Sequence, residues 1–385
     1  MMDKDYIVFG KPEILDAEID EVVDSLRKNW LGTGPKVKRF EQQFADYKKV
    51  DFSQVAAVNS CTAALHLSLL AAGIRPGDEV ITTAMTFCAT VNAIIHAGAT
   101  PVLVDVLPDT FNIDPAAIED RITESTRAIV PVHYSGNPCD MEAIMKIASR
   151  HDLKVIEDCA HALESDFRGQ PLGTFGDYGC FSFYATKNIT TGEGGMVIAK
   201  SPEAINRIKT LALHGMSTDA WARFSDDGYK HYQVTQAGFK YNMMDLQAAI
   251  GIHQLERIEA NWEKRRALFA RYHQAFADLP VQLPVAEDDM GRSAYHLFPI
   301  LLHDSAAVSR DEFMVKAHNE GIGTGVHYLS IPTHEFYKNA FGWNENDFPV
   351  AQTIGQSTVS LPFSPSLGES EIIRIIDTTR RILTT

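Results

Sequence analysis

The chain has 385 residues, 45% of them hydrophobic and 22% charged, a composition typical of a globular protein with room for about two domains. Its formal net charge of −15, without a basic block, argues against nucleic acid and anionic membranes as partners. Five cysteines without a CxxC spacing, and a start without a signal-peptide pattern, favour reduced thiols in the cytoplasm over a disulfide framework or a zinc site.

The first 50 or so residues have the pattern of an N-terminal arm with two helices. Apolar residues recur at helical spacing from Pro12 to Lys28, and a second helix is expected from Val37 to Tyr47. The run Trp30-Leu-Gly-Thr-Gly-Pro35 separates the two helices. Because this run has neither the GxGxxG nor the Walker pattern, a plain loop is a simpler interpretation than a phosphate cradle.

From Val55 to Ala199, short apolar runs alternate with helical stretches. The predicted strands are Val55–Val58, Glu79–Thr83, Pro101–Val106, Ala128–Val132, Lys154–Glu157, Tyr178–Phe183 and Met196–Ala199. The helices predicted between the early strands are Thr62–Ala72, Cys88–His96, Pro115–Ile122 and Met141–His151. This alternation predicts an α/β fold with a large, mainly parallel seven-stranded sheet covered on both faces. The most apolar long window, 55–74, contains four polar residues and does not predict a membrane span.

The last part of the chain has mixed signals. Residues 214–238 form a polar stretch too long for an ordinary connection, so the stretch is either disordered or functional, and its aromatic residues and histidines favour a functional loop. The other predicted elements are helices at Ser201–Leu213, Met244–Phe276, Arg310–Glu320 and Glu371–Leu383, and strands at Tyr295–Leu302 and Thr358–Leu361. We therefore expect the arm and a large domain in residues 1–250, and a linking helix with a small α+β domain in residues 251–385.

Polar residues follow two of the buried strands. Val155-Ile-Glu-Asp158 ends on a carboxylate, and Gly179-Cys-Phe-Ser182 ends on a hydroxyl five residues before Lys187. Ligands of such sheets bind at the carboxyl ends of the strands, where these residues fall. A pyridoxal phosphate enzyme needs a lysine for the Schiff base with the cofactor aldehyde and a carboxylate that keeps the pyridine nitrogen protonated. A salt bridge in an ordinary α/β protein would give the same pair.

Three further features have both a binding and a structural interpretation. A strand turns at Ser60 and Thr62 directly into a helix, and such a junction binds anions, although both residues are also ordinary helix caps. Phe87 could stack on a flat ring or belong to the core. His161 could reach the phenolic oxygen of the same ring. A Cys159/His161 metal site lacks further ligands at zinc spacing, so no metal is expected.

Several segments, in the right order, resemble the DegT/DnrJ/EryC1/StrS family of sugar aminotransferases, which are fold-type I pyridoxal phosphate enzymes. The resemblance covers nearly the whole chain and rests on residues 59–65, 131–141, 157–162, 181–195 and 238–249. Residues 187–195 and 214–221 are most similar to the members that aminate C4 of nucleotide-linked 4-keto sugars. These members include the enzymes of the UDP-4-amino-4-deoxy-arabinose and pseudaminic acid pathways.

The resemblance implies roles for individual residues. Lys187 and Asp158 are the catalytic residues. The residues implied to bind the cofactor are Ser60, Thr62, Ala63, Phe87, Asp158, His161, Ser182, Lys187 and Asn242. Within this set, Asn242 reaches the phosphate of the neighbouring subunit's cofactor, which implies a homodimer. The residues implied to contact the substrate are His214, Arg223, His327 and Tyr328.

The implied reaction is transfer of an amino group from L-glutamate to C4 of a UDP-linked 4-keto sugar, with pyridoxal and pyridoxamine phosphate as the two cofactor forms. A sugar dehydratase on the same fold is an alternative, although the members that became dehydratases lost the lysine that this chain keeps as Lys187. A C3 aminotransferase, a dTDP- or GDP-sugar enzyme and a non-catalytic regulator also stay open. A nicotinamide dehydrogenase is disfavoured because no GxGxxG follows the first strand.

Overall fold

The computed structural model describes residues 6–216, 233–285 and 290–385. The strands of its first part are β1 (Val55–Val58), β2 (Glu79–Thr83), β3 (Thr100–Val104), β4 (Thr126–Val130), β5 (Lys154–Asp158), β6 (Asp166–Phe167), β7 (Gln170–Pro171), β8 (Tyr178–Ser182) and β9 (Gly195–Ala199). Seven of them form one sheet in the order β1-β9-β8-β5-β4-β2-β3, while β6 and β7 pair as a separate hairpin. Only β9 is antiparallel to its neighbours in the large sheet, which confirms the predicted α/β fold with a mainly parallel seven-stranded sheet.

The helices up to residue 276 are α1 (Asp16–Arg27), α2 (Pro35–Lys48), α3 (Cys61–Ala71), α4 (Cys88–His96), α5 (Met141–His151), α6 (Pro202–Ala212), α7 (Asp245–Glu256) and α8 (Ile258–Phe276). Helices α2, α5 and α7 contribute to the apolar cluster on one face of the large sheet, and α3, α4 and α6 contribute to the cluster on the other face. Alternate strand residues face opposite sides: in β1, Val55 and Ala57 join one apolar cluster and Ala56 and Val58 the other. Burial on both faces explains why these strands read as continuous apolar runs.

A smaller antiparallel sheet lies in the C-terminal part of the chain. Its strands are β10 (Val281–Gln282), β11 (Phe298–Leu302) and β12 (Thr358–Leu361). The helices that follow α8 are α9 (Arg310–Asn319), α10 (Glu335–Phe341), α11 (Pro349–Ser357) and α12 (Glu369–Thr384). This sheet has its own apolar cluster, to which α8, α9 and α12 contribute. The predicted boundary between residues 250 and 251 falls inside α7 and stays a prediction.

Three predicted elements are wrong in part. The helix expected at Pro115–Ile122 is instead two short 3-10 turns, the first capped by Asp114, which accepts the N–H of Ala116. The helix expected from Met244 to Phe276 is interrupted at Arg257, whose guanidinium binds Glu18 of α1. The strand expected from Tyr295 begins only at Phe298, because Tyr295 has a positive φ of 47° that a strand cannot accommodate.

The N-terminal arm is anchored on α7. The carboxylate of Asp245 accepts the backbone N–H groups of Val37 and Lys36, at 3.0 and 3.2 Å, and so caps α2. Further along the same helix, Gln254 donates to Glu18 at 3.1 Å. Among the described residues, no helix is both long enough and apolar enough to cross a bilayer.

We expect Phe44→Ala to lower the free energy of unfolding by about 3–5 kcal/mol, because it leaves a cavity in a packed core. Phe44 of α2 is 0% exposed and its ring lies 5.1 and 6.1 Å from the rings of Phe181 and Phe183. Urea unfolding followed by circular dichroism measures the change. Phe336→Ala is the matched control, since Phe336 is 59% exposed; equal losses for the two variants would contradict this packing.

Candidate active site

A cavity of about 540 Å³ lies at the carboxyl ends of the central strands. It is lined by Ser60, Cys61, Thr62, Leu65, Thr86, Phe87, Ala89, Thr90, Val132, Asp158, Ala160, His161, Ser182, Tyr184, Thr186, Lys187, Glu193, Gly194, His327 and Tyr328. These residues come from the start of α3, the start of α4, the ends of β5 and β8, the loop between β8 and β9, and a C-terminal segment. The sheet therefore collects side chains that are far apart in sequence, as open α/β sheets do at this edge.

Asp158 is the last residue of β5 and is 5% exposed. Its carboxylate accepts the hydroxyl of Thr90 at 2.8 Å and the N–H of Ala160 at 3.1 Å. Burial raises the pKa of this carboxyl, while the two hydrogen bonds and the charge of Lys187 act in the opposite direction. A buried carboxylate of this kind gains stability from a cationic partner in the cavity.

Lys187 follows β8 in a tight turn, with its backbone N–H bonded to the carbonyl of Tyr184 at 2.9 Å. Burial disfavours the ammonium form and lowers the pKa of Lys187 to about 8, although Cys61 and Asp158 oppose the shift. A lysine with such a pKa has a large neutral fraction near pH 8. It can therefore act as a nucleophile and as a proton acceptor.

The start of α3 forms one end of the cavity. Ser60 is the N-cap, and its hydroxyl accepts the N–H of Ala63 at 3.1 Å. Thr62 and Ser182 line the same end. A Cβ atom on Gly195 would lie 2.5 Å from the carbonyl carbon of Ser60, so only glycine lets β9 approach the helix start this closely. The dipole and the N-terminal N–H groups of α3 favour an anion there.

Aromatic residues also line the cavity. Phe87, the residue before α4, is 56% exposed, and its ring lies 5.8 Å from that of Tyr328. An exposed phenylalanine beside a cavity is available to stack on a planar ligand. The hydroxyl of Tyr328 and Nε2 of His161 are 3.0 Å apart, and His161 is buried.

The remaining residues implied by the resemblance do not all line the 540 Å³ cavity. His327 lines the cavity, and burial together with the charge of Lys187 lowers its pKa to about 4. Asn242 lines a neighbouring cavity that shares Ser60 and Glu193 with the first. His214 is exposed and is not among the residues lining the 540 Å³ cavity, and Arg223 lies outside the described residues.

Sequence reasoning missed several cavity residues. Thr90 binds the carboxylate of Asp158 directly and is joined to Thr86 by a hydrogen bond of 2.8 Å. Its position was a usable signal, because Thr90 lies one helical turn after Phe87 and faces the same way. Tyr184 and Glu193 flank Lys187 in the loop, but nothing in their spacing distinguished them from ordinary loop residues.

A cluster of possible metal ligands lies beside the cavity, at His133, Glu157 and Cys159. Its carboxylate is already satisfied: Glu157 accepts three backbone N–H groups from residues 173–176 and is 3.2 Å from Nε2 of His133. Nδ1 of His133 accepts the N–H of Cys139 at 3.1 Å. Because these groups fix a buried turn through hydrogen bonds, they serve the fold without an ion.

The cavity fits pyridoxal 5′-phosphate group by group. Asp158 can pair with a protonated pyridine nitrogen, and Lys187 has the lowered pKa that covalent attachment requires. The helix start at Ser60 and Thr62 suits the phosphate, and Phe87 suits the ring face. The volume lies within the range of cofactor sites in proteins.

We expect the cofactor-free protein to react with trinitrobenzenesulfonate at Lys187 with a midpoint near pH 8. The neutral amine is the nucleophile, so the modified fraction rises as the pH passes the pKa of the group. Peptide mass mapping after timed reactions measures it. Lys48 also has a pKa lowered to about 8, but at 2% exposed it is closed to the reagent. Identical pH profiles for Lys187 and the exposed Lys200 would contradict the expectation.

The chain is similar to several known proteins. The model of the DegT/DnrJ/EryC1/StrS aminotransferase family matches residues 12–380. The spore coat polysaccharide biosynthesis protein SpsC of Bacillus subtilis is 44% identical over 380 residues, which cover 98% of this chain and 97% of that protein.

Solved structures show the same similarity. Spr1654 from Streptococcus pneumoniae, provisionally named a sugar aminotransferase, is 33% identical, with a TM-score of 0.91 over 98% of this chain and 97% of its own in the PMP form. It is also solved in a PLP form. Helicobacter pylori PseC, an aminotransferase involved in pseudaminic acid biosynthesis, is 27% identical, with a TM-score of 0.89 over 98% and 99% of the two chains. The resemblance seen in the sequence is confirmed, and the chain belongs to the DegT/DnrJ/EryC1/StrS aminotransferase family.

Proposed function

We propose that the protein transfers the amino group of L-glutamate to C4 of a UDP-linked 4-keto sugar. Pyridoxal 5′-phosphate is the cofactor and alternates with pyridoxamine 5′-phosphate. The observation that carries the proposal is the placement of Lys187 and Asp158 in one cavity, with a helix start for the phosphate and Phe87 beside it. The product is a 4-amino sugar nucleotide for the synthesis of surface polysaccharide or another glycan.

The relatives support the choice of substrate. SpsC is named for polysaccharide biosynthesis, Spr1654 for a sugar substrate and PseC for pseudaminic acid biosynthesis. Two segments most resemble the C4 aminotransferases, at residues 187–195 and 214–221. The first of them begins with Lys187, the proposed catalytic lysine. Retention of Lys187 favours transamination over the dehydratase chemistry of family members that lost it.

The bound cofactor supplies an electrophilic carbonyl and a ring that accepts electrons from a neighbouring C–H bond. The protein supplies proton transfer and charge. Lys187, with a pKa of about 8, takes the Cα proton of the amino donor as a neutral amine and returns a proton from the same position. The reverse sequence with the keto sugar uses the same side chain.

Asp158 keeps positive charge on the pyridine nitrogen. Burial alone would raise the pKa of its carboxyl, but a pyridinium partner stabilises the carboxylate, and Thr90 and Ala160 already hold it in place. The carboxylate is therefore oriented before any ligand binds. Such preorganised charge is worth more in a buried cavity than in water.

The proposal includes a homodimer in which Asn242 reaches the partner's cofactor phosphate. Asn242 donates one amide N–H to the hydroxyl of Thr33 at 2.6 Å, and its second amide N–H can donate to a phosphate oxygen. Asn242 and Lys240 line the cavity of about 670 Å³ that borders the active site at Ser60 and Glu193. A phosphate from a second copy would give this polar wall a ligand.

We also propose that the enzyme works in the cytoplasm, where nucleotide sugars and glutamate are its small-molecule substrates. All five cysteines are described, and all are free thiols, which fits a reducing compartment. Nucleic acid and membranes are not part of the proposal, in line with the net charge of −15.

We expect Lys187→Ala to lower the rate of amination by at least about 10³-fold, because the proton acceptor and the covalent attachment are lost together. The assay uses glutamate with a panel of UDP-, dTDP- and GDP-4-keto sugars, and product mass separates an amino sugar from a deoxy sugar. Lys200→Ala is the control on the surface. Wild-type turnover by Lys187→Ala, or a deoxy sugar from the wild type, would refute the proposed reaction.

Mixed dimers test the role of Asn242. We expect Lys187→Ala and Asn242→Ala to be weak as separate homodimers, because the first lacks the amine and the second loses a phosphate contact worth about 1.5–3 kcal/mol. A hybrid of the two, purified through different tags, should recover about half of the wild-type activity, since one of its two sites is complete. Absence of recovery in a stable hybrid would mean that Asn242 serves its own subunit.

A further inference from the structure

The hydrogen bond between His161 and Tyr328 joins the two parts of the fold at the active site. His161 follows β5 in the large sheet, and Tyr328 belongs to the segment before α10. The distance from Nε2 of His161 to the hydroxyl oxygen of Tyr328 is 3.0 Å. Both side chains line the active-site cavity.

The other nitrogen of His161 decides which atom carries the ring proton. Nδ1 accepts the backbone N–H of Ser135 at 3.2 Å. An amide N–H can only donate, so Nδ1 has no proton. Burial and the charge of Lys187 hold the pKa of His161 well below its ordinary value, so the ring is neutral and its single proton lies on Nε2.

This protonation fixes the direction of the second hydrogen bond. Nε2–H of His161 donates, and the oxygen of Tyr328 accepts. The hydroxyl proton of Tyr328 is then directed elsewhere, and no other acceptor for it is found among residues 6–216, 233–285 and 290–385. Burial keeps the phenol neutral by raising the pKa of Tyr328, so the proton stays in place.

Neighbouring groups hold the Tyr328 ring. It lies edge-on to Tyr134 at 6.4 Å and near Phe87 at 5.8 Å. The hydroxyl of Tyr134 donates to the backbone carbonyl of His327, the preceding residue. The phenol oxygen therefore has a defined position at the cavity wall, beside the aromatic residue available for stacking.

We propose that Tyr328 is a directed hydrogen-bond donor to an electron-rich oxygen in the active site, and that His161 is the positioning residue that sets its direction. The oxygen belongs either to the phenolic group of the cofactor or to the carbonyl of the keto substrate. The substrate alternative rests on the proposed function. The resemblance implies that His161 contacts the hydroxyl of the cofactor ring. In the arrangement that we propose, Tyr328 makes this contact instead.

A second buried histidine, His296, has a tautomer that can be compared with that of His161. His296 lies 4.3 Å from His161, ring to ring, and its Nδ1 is 2.9 Å from Oδ1 of Asn188. The amide nitrogen of Asn188 donates to Glu164 and to the carbonyl of Ala294, so its oxygen must accept. His296 is therefore protonated on Nδ1, the opposite tautomer to His161.

The first test is ¹⁵N NMR of the histidine-labelled holoenzyme, with peaks assigned through His161→Gln and His296→Gln. We expect an unprotonated Nδ1 and a protonated Nε2 for His161, and a protonated Nδ1 for His296. A proton on Nδ1 of His161 would overturn the proposal. This readout does not depend on the sugar substrate, so it stands apart from a failure of the proposed function.

The second test is Tyr328→Phe, followed through cofactor affinity, the cofactor absorption band and the two half-reactions. A loss of about tenfold or more in affinity with a shifted band assigns the cofactor oxygen, whereas a loss of that size confined to the keto-sugar half-reaction assigns the substrate oxygen. No change in any of these in a folded variant would overturn the proposal. Tyr337→Phe is the matched control, because its hydroxyl binds Asn92 at 2.6 Å outside the cavity.

Variants of His161 separate positioning from mere packing. Glutamine can donate an amide N–H to Tyr328, so His161→Gln should keep most of the activity, while His161→Leu should lose as much as Tyr328→Phe. The double variant of His161→Leu with Tyr328→Phe should lose no more than either single change. Losses that multiply would show that His161 does not act through Tyr328.

Discussion

Burial of the Asp158 carboxylate at the end of β5 is the constraint on which the active site depends. A charge with 5% exposure is costly unless it has partners, and this one has Thr90 and the N–H of Ala160 on the protein side. The cavity is left to supply the cation. The proposed pyridinium partner would compensate the burial of this carboxylate, so we expect cofactor binding to raise the stability of the folded protein.

Burial also disfavours the charged form of Lys187, whose charge is opposite to that of Asp158. Its ammonium is disfavoured by burial, and the resulting pKa of about 8 makes the amine available near neutral pH. Lys48, buried against Phe181, has a similar pKa but does not line the 540 Å³ cavity, and it bonds to the carbonyl of Leu163. Location at the carboxyl edge of the sheet, more than the pKa itself, makes one of the two lysines reactive.

Much of the fold, and the placement of Asp158 and Lys187 at one edge of the sheet, could be predicted from the sequence, because both follow from local patterns. Apolar runs of strand length located β5 and β8, and the polar residues after them led to Asp158 and Lys187. The break at Arg257 could not be predicted, since it depends on Glu18 of a distant helix. The direction of the Tyr328 hydrogen bond depends on a backbone N–H at Ser135, which no side-chain pattern reveals.

Glu157 and Asp158 are adjacent on β5, yet they point to opposite faces of the sheet. Glu157 binds the backbone of the turn at residues 173–176, and Asp158 faces the cavity. β5 pairs with β8 so that Asp158 lies opposite Cys180. This register determines which of the two acids faces the cavity and which faces the turn. A shift of one residue in the pairing would exchange the two side chains, so a single deletion in this strand would remove both the anchor of the turn and the carboxylate from the cavity. The register of β5 therefore determines which of the two carboxylates lines the cavity.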